Sequence, residues 1–193
     1  MTKNEFLQKF QLSPLAANEQ QLRLLSKPEQ LKQSAVLITL FEQEQQLHLL
    51  LTKRAQHLKH HSGQICFPGG KVEQQDKSFT DTALREAYEE IGLPPDALTV
   101  LGQLHPYQTI TGFSITPIIA ILKHRVNYQV DHNEVAEIFH VPLLHFLDAS
   151  NQFHVNIRQK TGNHQVHFMP YQEYNIWGAT AAIIKDLTQL ITQ

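Results

Sequence analysis

Residues 78–93 constrain the chain most, because they specify a helix whose two ends are both marked in the sequence. Ser78, with Asp81 three positions on, resembles a capping box, and Gly92 followed by Pro94 and Pro95 is a stop. At about 100° per residue, Ala83, Leu84, Ala87, Tyr88 and Ile91 fall on one apolar face, and Glu86, Glu89 and Glu90 form a patch on the other. A helix of this kind needs a layer to lie on, and short apolar runs supply one. Residues 34–41 and 47–53, parted by a polar stretch, read as a buried hairpin, and 64–67 as a short strand entering a permissive loop at Pro68-Gly69-Gly70. Residues 98–104, 115–122 and 138–141 read as further strands, 142–147 as a short helix, and 153–157 with 165–169 as a second hairpin. The C-terminal stretch 179–191 places Ala179, Ile183, Leu187 and Leu190 on one helical face, and the leucine-bearing stretch 18–33 reads as helix interrupted near Pro28. Hairpins mixed with crossovers predict an α/β fold with a mixed sheet covered by helices.

Composition narrows the function classes. With 193 residues, one domain is expected, since two would each be near ~100 residues. Sixteen Lys and Arg against eighteen Asp and Glu give 16 − 18 = −2, so no basic field is present to hold a nucleic-acid backbone. Cys66 is the single cysteine, which excludes an internal disulfide and a Cys-x-x-Cys zinc pair. No apolar run approaches the ~20 residues of a membrane helix, and the first residues lack the apolar core of a signal peptide. A cytoplasmic protein is expected, with no nucleic-acid or membrane partner. Its oligomeric state is open, a homodimer included.

Three carboxylates on one turn repel by roughly 0.2–0.5 kcal/mol per pair. Arg85 can offset part of this by pairing with Glu89, and a hard cation such as Mg²⁺ or Mn²⁺ can offset more. The preceding glycines could bring backbone close to a ligand beside that face.

Gly70 with Arg85-Glu86-Ala87-Tyr88-Glu89-Glu90-Ile91-Gly92-Leu93 resembles the Nudix box: Gly, five residues, Glu, seven residues, Arg-Glu-apolar-x-Glu-Glu-x-Gly-apolar. The chain departs from it where Asp76 stands for the first Glu and eight residues precede Arg85. Upstream, Leu50-Leu51-Thr52-Lys53-Arg54-Ala55, then Lys59, Gly63 and Phe67-Pro68-Gly69-Gly70, is similar to the signature of the coenzyme A pyrophosphatase branch, with Ala55 for a Ser and Lys59 for an Arg. The likeness continues through 109–117, 133–142 and 176–180.

The resemblance implies a Nudix-type α/β/α sandwich over 34–193, with 1–33 a separate N-terminal helical segment. It implies a metal-dependent hydrolase of coenzyme A and its derivatives, releasing 3′,5′-adenosine bisphosphate and 4′-phosphopantetheine. Glu86 and Glu90 are the expected metal ligands, with Glu89 a further ligand or the base that orients water, and Arg85 positioning a glutamate. Glu134 is the candidate distant carboxylate and Glu137 the alternative. Arg54 and Lys59 are expected to meet the substrate phosphates, while Gly69 and Gly70 shape the loop beneath the metal. Other nucleoside diphosphate conjugates such as ADP-ribose, or a silent binding module, are the competing readings. His57 and His61 would suit a transition metal only on a helix. Cys66 is expected in the core, and Trp177 either stacks on an adenine or packs inside.

Overall fold

Leu37, Leu50, Ile118 and Ala120 are buried on one side of a sheet, and Ile38, Leu49, Leu51, Ile119 and Ile121 on the other. Side chains alternate across a strand, so strands apolar at every position must be covered on both faces. This computed structural model describes residues 1–12, 31–159 and 162–192. The expected helix at 18–33 lies outside them as far as position 30, and Lys32 and Gln33 already belong to a strand.

The elements are α1 (Lys3–Leu12), β1 (Lys32–Gln43), β2 (Gln46–Arg54), β3 (Ile65–Cys66), β4 (Gly69–Lys71) and α2 (Phe79–Ile91). They continue with β5 (Leu98–Gln103), β6 (Tyr107–Gln108), β7 (Phe113–Leu122), β8 (Val135–Pro142), α3 (Leu143–Leu147), β9 (Phe153–Gln159), β10 (Gly162–Phe168) and α4 (Ala179–Leu190). β1 to β8 form one sheet in which β3, β2, β1, β7 and β5 are neighbours in that order, with β4 on β1, β6 on β7 and β8 on β2. Only the long β1–β7 pairing is parallel among these, so the sheet is mixed. α2 covers one face and α4, with α3 and Phe6 of α1, covers the other. The expected α/β/α sandwich is therefore what forms.

One expectation changes here. The sequence predicts a loop at Pro68-Gly69-Gly70, but residues 69–71 pair with Ser34, Ala35 and Val36 as a strand. This wedges β4 against the first half of β1 while β2 pairs with the second half. The glycines thus sit at the point where β1 changes partner, directly beside α2.

Candidate active site

The limits of α2 are those its sequence specifies. Ser78 accepts a 3.1 Å hydrogen bond from the Asp81 amide, and Gly92 ends the helix at φ 66°, where a Cβ would be strained. Its apolar face is narrower than expected. Ala83, Ala87 and Ile91 are buried, Leu84 is partly so, and Tyr88 is exposed.

Glu90 requires the larger correction, because it belongs to the buried stripe. Seven residues past Ala83, it lies within about 20° of that residue around the helix. Exposure of the three glutamate side chains accordingly runs 2% for Glu90, 15% for Glu86 and 56% for Glu89. Burial pushes the Glu90 carboxyl up to about 8, reinforced by the charges of Glu86 and Glu134 and opposed by Arg54 and the Gly69 amide. Burial likewise raises Glu86, against the pull of Arg85.

β2 and β4 close the pocket around Glu90. The Gly69 amide donates to Glu90 Oε2 at 3.3 Å, and Arg54 Nη1 lies 3.8 Å from Oε1. Arg54 is thus turned onto Glu90, and among the described residues its buried Nε has no hydrogen-bond partner. Gly70 faces the Glu86 carboxylate, so a Cβ there would displace the end of that side chain. Gly69 is the tighter position, where a Cβ would meet the backbone of Ala35 and Val36. Cys66 lines the same pocket, its hydroxyl neighbour Thr52 3.4 Å from Sγ, and burial pushes its thiol up to about 11. A thiol held neutral in this way is no nucleophile.

On the other flank Arg85 gathers four acidic side chains. Its Nε and Nη2 grip Asp76 at 3.0 Å each, Nη1 donates to Glu86 and Glu89 at 2.9 Å each, and Glu73 lies 3.9 Å away. Nη2 also donates to the Lys71 carbonyl. Asp76 accepts further bonds from Thr82 Oγ1 and the Glu73 amide, both at 2.9 Å. Arg85 above all, with these two donors, holds the Asp76 carboxyl well below the usual carboxylate range. The pairing of Arg85 with Glu89 is the expected one, whereas the fork on Asp76 and the roles of Thr82 and Cys66 had not been read from the sequence. A buried partner for an arginine crowded by glutamates was the available signal for Asp76.

The two distant carboxylate candidates now separate. Glu134 acts electrostatically on both Glu86 and Glu90, and its carbonyl accepts from Ala55, which ties its loop to β2. Glu137 instead accepts a 2.5 Å bond from Tyr174, whose ring stacks on Phe139. Lys59 is exposed in the segment joining β2 to β3, as are His57, His60 and His61. That segment is not helical, which removes the basis for a His57–His61 metal pair. Trp177 is exposed and stacks on Phe168, so it is not a core residue.

A divalent cation is the group these residues fit. The donors are carboxylate oxygens, one of them deeply buried and pushed toward its neutral form by that burial, with Arg54 only partly opposing it. Among the described residues no three such groups are yet gathered at ligand spacing, since Glu86 and Glu89 both lean on Arg85. Glu86, Glu89 and Glu90 would have to turn toward one another to hold an ion.

A sandwich of this topology, with glycines against an Arg-Glu-x-x-Glu-Glu helix, defines a class, and comparison with known proteins agrees. Residues 31–187 match the NUDIX domain family, and the chain belongs to that family. It is 39% identical over 187 residues to a protein of Enterobacter sp. (strain 638) called "Uncharacterized Nudix hydrolase NudL", covering 97% of this chain and 93% of the relative. A protein of the same description from Yersinia enterocolitica is 43% identical over 143 residues, covering 74% and 73%. Among solved structures, a MutT/nudix family protein from Enterococcus faecalis matches with TM-score 0.55 at 16% identity, over all of this chain and 76% of that one. The MutT protein from Methanosarcina mazei Go1 matches with TM-score 0.53 at 19% identity, over 88% and 96%. These two likenesses establish the fold. As a Nudix hydrolase the chain acts on nucleoside diphosphate derivatives, with divalent metal as the general requirement of the family. Among the described residues no helix is long and apolar enough to cross a membrane.

Proposed function

We propose that this chain hydrolyses the pyrophosphate bond of coenzyme A and its derivatives, adding water across P–O–P to give 3′,5′-adenosine bisphosphate and 4′-phosphopantetheine or its acyl form. One observation carries the reading. The spaced signature from Leu50 to Gly70 is not scattered through the fold but forms β2, β3, β4 and their connections, the wall around Glu90 and Glu86. We take residues 34–193 as the hydrolase domain and 1–33 as an N-terminal segment whose helix α1 packs Phe6 into the core of that domain.

Glu86 and Glu90 would hold Mg²⁺ or Mn²⁺, with Glu89 as third ligand. The ion, when bound, neutralises the phosphate oxygens and acidifies a water. Glu89 is the most exposed of the three and among the described residues is held by Arg85, so as the alternative to ligating the ion it would take a proton from the attacking water, with Glu134 the other candidate base. Arg85 orients Glu86 and Glu89 on a guanidinium that Asp76 fixes. Lys59 and Arg54 would meet substrate phosphates, Arg54 on release from Glu90.

The test is a panel of pyrophosphates assayed at one Mn²⁺ concentration, with products identified. Coenzyme A should show higher kcat/KM than ADP-ribose and yield the two named products. Faster cleavage of ADP-ribose would replace the substrate and leave the site chemistry intact, while cleavage of nothing in the panel would favour a binding module.

A further inference from the structure

Residues 123–134, between β7 and β8, form neither helix nor strand, and Glu134 stands at their end. Glu134 is exposed, and its charge acts on both Glu86 and Glu90. An exposed side chain on an irregular segment keeps its place only as well as its backbone is held. The hold on this backbone therefore sets where Glu134 stands.

The end of α2 supplies the first ties. A helix leaves its last carbonyls without partners inside the helix. The Gly92 and Leu93 amides turn back to Tyr88 and Ala87, and the segment takes two further carbonyls. The Gln129 amide donates to Ile91 and the Asp131 amide to Glu90, both at 2.9 Å. Val126, Tyr128 and Val130 pack at alternate positions onto the apolar cluster that α2 covers. Gly92 permits this approach, since a Cβ there would lie 2.7 Å from Gln129 Cβ and 2.9 Å from its amide nitrogen. The glycine that ends the helix thus also admits the segment.

Asp131 supplies the second set. Its Oδ1 accepts from both the amide and the side-chain Nδ2 of Asn133, at 2.9 Å each. Its carbonyl accepts from the Glu134 amide at 3.0 Å and the Val135 amide at 2.9 Å. Residues 131–134 are thereby a closed turn with one end on the Glu90 carbonyl. The other end is on β2, where the Glu134 carbonyl accepts from the Ala55 amide at 2.8 Å.

We propose that Asp131 is a positioning residue, whose carboxylate shapes the turn that sets Glu134 beside Glu90. The same residue holds α2 by its amide, so the two glutamates are registered through one residue and not across the whole sheet. Truncating its side chain releases the turn and leaves the amide bond to α2 in place. The proposal rests on the reading that Glu134 acts in hydrolysis.

The test compares wild type with Asp131→Ala, Asp131→Asn, Glu134→Gln and the Asp131→Ala/Glu134→Gln double variant. Turnover of coenzyme A, or of ADP-ribose should that be cleaved faster, is measured at saturating Mn²⁺. Glu134→Gln should lower kcat by at least about tenfold. Asp131→Ala should lower kcat by about tenfold with KM little changed. Asp131→Asn keeps an acceptor at Oδ1 and should recover most of that loss. In the Glu134→Gln background Asp131→Ala should cost almost nothing more, since the group it positions is gone. Amide exchange of the metal-free protein gives a readout apart from turnover: Asp131→Ala should lose protection at Asn133 and Glu134 while α2 keeps its own. An Asp131→Ala loss as large in the Glu134→Gln background as in wild type overturns the proposal and leaves Glu134 in the reaction. Unchanged exchange at Asn133 and Glu134, or an Asn variant no better than Ala, overturns it as well. Wild-type turnover by Glu134→Gln removes Glu134 from the reaction, and the proposal with it.

Discussion

Asp76 and Glu90 flank the same helix, and their side chains are 3% and 2% exposed. Yet one is held well below the usual carboxylate range and the other is pushed up to about 8. Side-chain exposure alone thus does not separate them: Glu90 lies deeper, and desolvation is the main cause of its rise, whereas the Arg85 hydrogen bonds dominate at Asp76. Asp76 receives a guanidinium fork, a hydroxyl and an amide, whereas Glu90 has one amide at 3.3 Å and a cation at 3.8 Å. The protein satisfies the first carboxylate completely and leaves the second short of positive charge. That difference divides α2 into a flank that holds the fold and a flank suited to a metal ion.

The largest effect should come from Glu90→Gln, which keeps the shape and removes the charge. Turnover is expected to fall by at least about a hundredfold, the lower range for losing a group central to proton or charge handling. Melting temperature should hold or rise, since a buried, poorly compensated carboxylate is replaced by a neutral amide. Steady-state kinetics beside a thermal melt checks both. Glu86→Gln should also lower turnover strongly, but frees Arg85 of only one of its partners.

Asp76→Asn should reverse the pattern. It breaks the fork on Arg85, and losing a hydrogen-bonded charge of this kind costs about 1.5–3 kcal/mol, or several degrees in a chain of this length. Turnover should fall less than tenfold, because Arg85 retains Glu86 and Glu89. The acid limb gives a second readout. A carboxyl whose folded pKa is depressed contributes stability that is present above its unfolded value, about 4, and lost as pH falls below it. Wild type should therefore lose stability more steeply below pH ~4 than Asp76→Asn does. Parallel acid limbs would contradict the depressed value.

How much of this was legible in the sequence differs between the same two residues. The caps of α2 were readable because Ser78 and Gly92 act locally. The burial of Glu90 was masked by chemistry: grouping it with Glu86 and Glu89 by residue type overrode its place on the Ala83–Ala87–Ile91 stripe, where angle alone puts it. The fork on Asp76 spans nine residues across a loop, and no helical period reports that. β4 was missed because three residues, two of them glycine, carry no strand pattern; its pairing is imposed by β1. Glu137 and Glu134 could be told apart only once Tyr174, 37 residues away in the chain, was seen to bind Glu137.

The smallest effects concern Arg54 and Lys59. Because Arg54 lies against Glu90, Arg54→Ala should slow every substrate alike. Lys59→Ala should act on the 3′-phosphate alone, lowering the preference for coenzyme A over its 3′-dephospho form by about tenfold. A lysine there offers a point charge rather than a fork, which keeps the effect modest. Comparing kcat/KM for the two ligands across both variants separates these roles. Equal efficiency for the two ligands in wild type would remove the phosphate contact altogether.

The contrast between the two flanks is tested most directly by calorimetric titration of Mn²⁺ into wild type, Glu90→Gln and Asp76→Asn, each confirmed folded. Wild type and Asp76→Asn should bind with similar affinity, and Glu90→Gln at least about tenfold more weakly. Undiminished binding by Glu90→Gln, or an equal loss in Asp76→Asn, would contradict the assignment of the metal to the Glu90 side of the helix.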